Sequence, residues 1–357
     1  YRNTKNVPYY VFGRGSLAQL GDLLKPRREA VDGPVVYFVD HFFRDHELIG
    51  RLPMEKGDQL HFVDSSSEPE VTRIDAFKEA VSAADSRTPC CVVGIGGGNA
   101  LDTAKAVANL LTNPGKAEDY QGWELVKNPA VYKIGIPTLS GTGSECSRTC
   151  VLTNIPKNLK LGMNSDYTVY DQLLLDPDLL ATVPRDQYFY TGIDTFMHCV
   201  ESLQGSYRNA IIDAFSVRAV QLCEEIFLSD DMMSEDNREK MMIASYIGGM
   251  AAGNVGVIHP FSAGLGVVLH VAHGLGNCLA LNVLGDIYPK EYKQFRTMIE
   301  RQGVNLPTGI CKDLTKEQYE GLYRGCIVHE KPLTNALGPD FKQILTRENL
   351  IERYKSI

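Results

Sequence analysis

The sequence predicts an α/β amino-terminal half, a Rossmann-like nucleotide-binding domain, followed by an all-α carboxyl-terminal half. Three observations carry this. Short apolar runs alternate with helix-period segments through the first half, β-branched runs become scarce after Asp176-Pro177, and a glycine cluster separates one apolar run from the helix pattern after it. The expected domains are residues 1–178 and 179–357.

Taken in order, Val35–Asp40 (VVYFVD) is a short apolar run and reads as a buried strand, as do residues 60–63 (LHFV). Residues 74–84 have the helical period, and 90–95 (CCVVGI) are strand-like again. A glycine turn follows, then a helix over 100–111 and a strand over Lys133–Pro137 (KIGIP). Strands alternating with helices imply parallel βαβ units. In the second half, residues 188–204, 210–228 and 238–252 read as helices, and a charged helix over 341–354 closes the chain after Gly338-Pro339. No internal repeat, low-complexity tract or heptad pattern is present. Metal ligands from the helical half are expected to face the strand ends of the first half, since ligand sites favour clefts between domains.

The bulk composition narrows the function. A chain of 357 residues, 44% hydrophobic and 22% charged, has room for two domains and a large core. A net charge of −8 argues against nucleic-acid binding, which needs a basic face, but permits an anionic small substrate. Nine cysteines, an odd number with no CxxC pair and with Cys90 and Cys91 adjacent, imply reduced thiols in a cytoplasm. No run approaches the ~18 apolar residues of a membrane span, so no membrane partner is expected. No signal peptide opens the chain. It starts at Tyr1, which implies that the natural start is missing or renumbered, and loss of a targeting segment is not expected.

The chemistry-bearing residues concentrate in two places. Asp194 and His198, in TGIDTFMHCVES, are four apart on a predicted helix and so share one face. His259 and His273 bracket HPFSAGLGVVLHVAHG. Three imidazoles and a carboxylate suit a divalent first-row metal such as Fe2+ or Zn2+, and an open position on it would polarise a substrate oxygen. The competing reading of an isolated Asp-x-x-x-His is a surface or capping pair. His270, on the same stretch, reads as a supporting or catalytic group rather than a ligand. Upstream, Gly94-Ile95-Gly96-Gly97-Gly98-Asn99 joins a strand to a helix, where backbone N–H groups can meet a pyrophosphate. It is not a G-x-G-x-x-G fingerprint, because the third glycine falls too early. The loop at 137–145 (PTLSGTGSE) offers further donors, with a polar turn as the alternative. Asp40 closes the first interior strand, where it either accepts from an adenosine ribose and repels a 2′-phosphate or caps a turn.

These motifs together resemble the iron-dependent (group III) alcohol dehydrogenase family, whose relatives include glycerol dehydrogenases and dehydroquinate synthase. The resemblance runs from VFGRGSL (11–17) through GGGNALDTAK (96–105), PTLSGTGSE (137–145) and DPDLL (176–180) to GIDTFMHCVES (192–202) and the 259–274 segment. It implies that Asp194, His198, His259 and His273 are metal ligands. It implies that Gly97, Gly98, Asn99, Thr138, Thr142, Val151 and Lys160 contact NAD or NADP, with Asp40 the NAD-preferring ribose contact. The implied reaction oxidises a primary alcohol to an aldehyde by hydride transfer to the nicotinamide, with His270 as proton relay. Within the family the resemblance points to oxidation at C8 of 3-deoxy-D-manno-octulosonate, a lipopolysaccharide sugar acid, with NAD, NADP or oxygen as acceptor. Arg148 is the candidate partner for its carboxylate, a surface arginine being the other reading. A homodimer is expected. The alternatives are a dehydrogenase of another small polyol, a lyase resembling dehydroquinate synthase, and a non-catalytic binding protein that kept the fold. Three positions depart from the family pattern: Ala263 stands where a second histidine is common, Asn99 replaces the usual Ser, and Glu68 replaces an Asn.

Overall fold

The computed structural model describes residues 5–157 and 159–357, so Tyr1 lies outside the described residues. Two compact units divide it. Residues up to Leu139 together with Ser144–Thr182 form one, and Ser140–Gly143 with Val183–Ile357 form the other.

The first unit runs β1 (Tyr9–Phe12), α1 (Leu20–Ala30), β2 (Val35–Asp40), α2 (Glu47–Gly50), β3 (Gln59–Val63), α3 (Val71–Ala84), β4 (Cys91–Gly96), α4 (Gly98–Leu110), β5 (Gly122–Trp123), β6 (Lys133–Pro137), β7 (Thr149–Asn154), β8 (Leu159–Asn164) and β9 (Gln172–Leu175). Six strands pair in parallel in the order β1-β9-β6-β4-β2-β3. The run VVYFVD becomes a strand because both faces of a parallel sheet are covered. Val36 and Phe38 enter one core with Ile74 and Val107, whereas Val35, Tyr37 and Val39 enter the other with Leu20 and Leu24. Each half of the run thus buries apolar surface at roughly 25 cal/mol per Å2.

A second, three-stranded sheet of order β5-β8-β7 was not legible as strands. Its β7 (TCVLTN) alternates between half-buried and buried, a period-2 pattern spread over small polar residues rather than an apolar run. The edge strand β1 and the buried β9 also lay outside the sequence expectation. Lys105 ties this region together. Its side chain is fully buried, its Nζ donates to the carbonyls of Ser144 (2.8 Å) and Ser147 (3.4 Å) and to that of Thr149, and it lies 3.5 Å from Asp102. Asp102 in turn accepts from Ser144 Oγ and from the Val151 N–H at 2.8 Å.

The second unit is helical: α5 (Arg185–Gln204), α6 (Ala210–Phe227), α7 (Glu235–Gly248), α8 (Ile258–Leu269), α9 (His273–Val283), α10 (Pro289–Gln302), α11 (Lys316–Ile327), α12 (Glu330–Leu337), α13 (Phe341–Ile344) and α14 (Arg347–Lys355). The single closing helix expected over 341–354 is two. The chain leaves the helix at Leu345, and Thr346 starts a new one by accepting from the Asn349 N–H at 3.2 Å. The helix expected over 238–252 starts earlier, at a Ser234 cap, and gives way to a 3-10 segment over Gly249–Asn254.

Residues 140–143 are seated in this unit. Gly141 donates its N–H to Ser245 Oγ (2.8 Å) and accepts from Thr195 Oγ1 (2.9 Å). Its φ is +150°, and a Cβ would stand 1.6 Å from the Thr191 carbonyl oxygen, so only glycine fits. All nine cysteines are buried and unbridged. Among the described residues, no single helix is long and apolar enough to cross a membrane.

Replacing Lys105 with Met would leave Asp102 buried without its cation and three carbonyls without their donor. We expect Lys105→Met to lower the unfolding free energy by about 3–5 kcal/mol in urea titrations followed by circular dichroism. A loss below 1 kcal/mol would show that the lysine is not the keystone of this region.

Candidate metal centre and cofactor residues

Asp194, His198 and Glu201 occupy one stripe of α5, at i, i+4 and i+7. His259 is the second residue of α8, and His273 the first of α9. The donor atoms of Asp194, His198, His259 and His273 all lie within 4.8 Å of one another. The three Nε2 atoms converge on the carboxylate: His259 at 3.2 Å and His198 at 3.9 Å from Oδ1, and His273 at 3.5 Å from Oδ2. The His198 and His259 rings stack at 4.5 Å with 14° between their planes. The structure thus brings the four sequence-predicted residues into one set.

The set fits a divalent cation. Asp194 is fully buried, its ion-pair partners among the described residues are the three histidines, and its Oδ2 has no hydrogen-bond partner. A buried carboxylate oxygen left so is costly unless a cation or donor meets it. Nitrogen and oxygen donors at this spacing suit Fe2+ or Zn2+.

Electrostatics within the set are uneven. Burial pushes His198 down to about 4, against the pull of Asp194, so this imidazole is neutral near pH 7 and ready to ligate. Burial would lower His259 too, but the Glu201 and Asp194 carboxylates outweigh it and raise it to about 9. Burial opposes ionisation of Asp194, yet the imidazoles around it hold its carboxyl well below the usual carboxylate range.

Two residues of the centre were missed in the sequence. Glu201 places Oε2 2.5 Å from His259 Nδ1, and Asn277 donates to Asp194 Oδ1 at 2.6 Å while lying 3.3 Å from His273 Nε2. Helical spacing was the available signal: Glu201 follows His198 by three residues, and Asn277 follows His273 by four.

Two expectations are corrected. His270 is exposed and holds φ +56° as the left-handed cap of α8, about 16 Å along the helix axis from His259. Its backbone caps the helix, and among the described residues its side chain shares no hydrogen bond or ion pair with the four-residue set. Arg148 pairs its Nε with Asp166 (2.6 Å) and its Nη2 with Glu124 (2.5 Å), so two carboxylates already occupy the guanidinium assigned to a substrate carboxylate.

Of the residues expected to contact a cofactor, Asp40, Gly97, Gly98, Asn99, Thr138, Val151 and Lys160 belong to the first unit, and Thr142 to the second. Gly97 caps α4, and Gly98 is its first residue. Gly96 before them has φ +151°, and a Cβ there would press within 2.9 Å of Asp40 Cβ. Asp40 therefore sits directly beside the glycine turn. Its Oδ1 accepts from the Phe42 N–H (3.0 Å) and Ser65 Oγ (2.9 Å), so it does cap a turn. Asn99 donates to the carbonyls of Ser67 (2.8 Å) and Ser65 (3.3 Å), and Thr138 donates its N–H to Gly96 O (3.0 Å). Lys160 pairs with Glu68 at 2.9 Å.

Comparison with known proteins follows the same division. Residues 8–177 match the family model "Iron-containing alcohol dehydrogenase", and 188–319 match "Fe-containing alcohol dehydrogenase family, C-terminal". The sulfoacetaldehyde reductase of Bilophila wadsworthia is 34% identical over 220 residues, 60% of this chain and 56% of that protein. The 1-propanol dehydrogenase of Citrobacter freundii is 30% identical over 275 residues, 75% of this chain and 69% of its own length. The crystal structure of a sulfoacetaldehyde reductase from Bifidobacterium kashiwanohense in complex with NAD+ superposes with a TM-score of 0.79 at 23% identity. That superposition covers 99% of this chain and 97% of the other.

The raised His259 gives a signed pH dependence. Below about 9 its imidazole carries a second proton, which must leave before Nε2 can ligate. Zinc loading of metal-free protein at pH 7 should release about one proton per ion, and affinity should rise with pH until that value is passed. Indicator-dye absorbance during the titration reads the release. Binding without proton release would remove His259 from the ligand set.

Proposed function

The chain belongs to the iron-containing alcohol dehydrogenase family, and on that premise we propose that it interconverts a small primary alcohol and its aldehyde, using a divalent metal and NAD. The observation that carries this reading is the convergence of three imidazole Nε2 atoms on the buried Asp194 carboxylate. When bound, the cation supplies Lewis acidity to a substrate hydroxyl, and NAD supplies the hydride acceptor.

Asp194, His198, His259 and His273 hold the cation in this proposal. Three neutral imidazoles and one carboxylate leave room for an oxygen ligand. Asn277 restrains Asp194 through Oδ1. In the first unit, the glycine turn and the start of α4 at Gly97, Gly98 and Asn99 receive the pyrophosphate. Asp40, anchored by the Phe42 N–H and by Ser65, keeps one carboxylate oxygen for a ribose and sets a negative charge against a 2′-phosphate, which favours NAD over NADP. Thr138, Thr142, Val151 and Lys160 complete the proposed cofactor contacts. The Val151 N–H is already donated to Asp102, which leaves its carbonyl and side chain for that role.

The substrate reading moves away from the sugar acid. The related proteins are named for sulfoacetaldehyde and 1-propanol, both small, and the guanidinium offered to a sugar-acid carboxylate is paired elsewhere. Oxygen as acceptor and a place in lipopolysaccharide assembly rested on that assignment and go with it. Nine unbridged thiols support a cytoplasmic setting. The place of β1 at the end of the sheet order, with Tyr9 and Tyr10 exposed, supports pairing with a second copy.

The test is NADH formation by iron- or zinc-loaded protein with 1-propanol, 2-hydroxyethanesulfonate and 3-deoxy-D-manno-octulosonate in parallel. NADH with either small alcohol, and none with the sugar acid, is the expected outcome. Turnover of the sugar acid alone would overturn the substrate class. His259→Ala and His273→Ala should each lose bound metal and lower turnover by about 100-fold or more, roughly 2.7 kcal/mol of barrier. Full activity in metal-free protein would sink the proposal.

A further inference from the structure

Glu201 is a buried acid that the proposed chemistry leaves without a task. It is 1% exposed and lies two helical turns beyond Asp194 on the same stripe of α5. Three polar groups meet its carboxylate. Oε1 accepts from the Ile258 N–H at 2.6 Å and from Tyr288 Oη at 3.1 Å, while Oε2 stands 2.5 Å from His259 Nδ1. Tyr288 Oη itself accepts from the Val257 N–H at 3.0 Å. Gly256 closes the corner: a Cβ there would lie 2.5 Å from Tyr288 Oη and 3.0 Å from Glu201 Oε1. Among the described residues the ion-pair partner of Glu201 is His259, and no lysine or arginine balances it.

We infer that Glu201 is a positioning residue for the metal: it fixes the tautomer of His259 and supplies the second buried negative charge of the centre. The inference rests on the reading of the four-residue set as a metal site. A carboxylate can only accept, so His259 carries a proton on Nδ1 in either charge state, and Nε2, 3.2 Å from Asp194 Oδ1, is the nitrogen left to give up its proton and ligate. A histidine whose far nitrogen donates to a carboxylate is both held in orientation and made a better donor to a cation. The charges agree with this role. Asp194 and Glu201 contribute two negative charges in a buried region, three neutral ligating imidazoles contribute none, and a dication balances the set where a monovalent ion would not.

The plain competitor is an anchor: Glu201 holds the start of α8 and Tyr288 and has no bearing on the metal. Glu201→Gln separates the two. Its amide oxygen can still accept from the Ile258 N–H and from Tyr288, but its NH2 group donates toward His259 Nδ1 and drives the proton onto Nε2. Metal-free wild type and variant are titrated with Zn2+ against a competing chromophoric chelator, and the visible spectrum of each Co2+-loaded form is recorded. The expected result is a zinc affinity about 10- to 100-fold weaker in Glu201→Gln, with shifted Co2+ bands. Tyr288→Phe, which removes an anchor contact but keeps the Glu201–His259 pair, should stay within about threefold of wild type on the same scale. Zinc affinity in Glu201→Gln within twofold of wild type would overturn the inference. So would an equal loss in both variants, the signature of an anchor. If Glu201→Gln does not fold, Glu201→Asp carries the test: it keeps the charge but draws the carboxylate back from Nδ1, and wild-type affinity there overturns the inference as well. Absence of zinc binding by wild type is a different failure, one of the metal-site reading itself.

Discussion

A buried carboxylate cannot stand alone, and Asp194 organises the helical unit around that constraint. It sits fully buried in the middle of α5, where ionisation without compensation is expensive. Compensation arrives from three elements: His198 from α5 itself, His259 from α8 and His273 from α9, with Asn277 adding a neutral donor one turn after His273. These residues come together because their helices begin where they do. The start of α8 is fixed by Glu201, which takes up the Ile258 N–H, and α9 starts at His273 itself. Helix termini, which must find partners for unpaired backbone groups, thereby deliver side chains to the centre.

The sequence disclosed those parts of the molecule whose chemistry is local. Strands β2, β4 and β6 were legible because burial on both faces writes them as continuous apolar runs, and the four ligand candidates because metal donors are a short list of residue types at helical spacing. What it did not disclose depends on contacts distant along the chain. The β7–β8 pair is half-exposed and hides its alternation among threonines, asparagine and glycine. Glu201 looked like one more helical acid until its carboxylate met a histidine 58 positions away. His270 misled for a different reason: three residues before His273, it is taken up as the left-handed cap of α8 with its side chain exposed. Arg148 failed because a cation read in isolation carries no record of the two acids that claim it.

In the nucleotide-type unit, two departures from the family pattern are explained by what they hold. The amide of Asn99 binds the carbonyls of Ser65 and Ser67, which a serine's single short hydroxyl could not span together. Glu68, in the same stretch, reaches Lys160 on β8, and the neighbouring Pro69 carbonyl accepts from the Thr153 N–H at 2.8 Å. Residues 65–69 are thus laced to α4, β7 and β8, and Ser65 adds a bond to Asp40 at the end of β2. The acid at Glu68, where the family pattern has Asn, thus has a local partner that accounts for its charge.

The excursion at 140–143 bears on how such a chain can be inherited. The backbone passes from one compact unit to the other at 139/140, returns at 143/144 and passes again at 182/183. A single recombination between two relatives at the last junction would therefore not exchange whole units. It would leave four residues of one parent threaded among helices of the other, with Gly141 against Thr191, Thr195 and Ser245 and Gly143 against Gly249. Chimeras that respect this seam need three crossovers, so the glycine-rich loop and the helices around it are constrained to descend together.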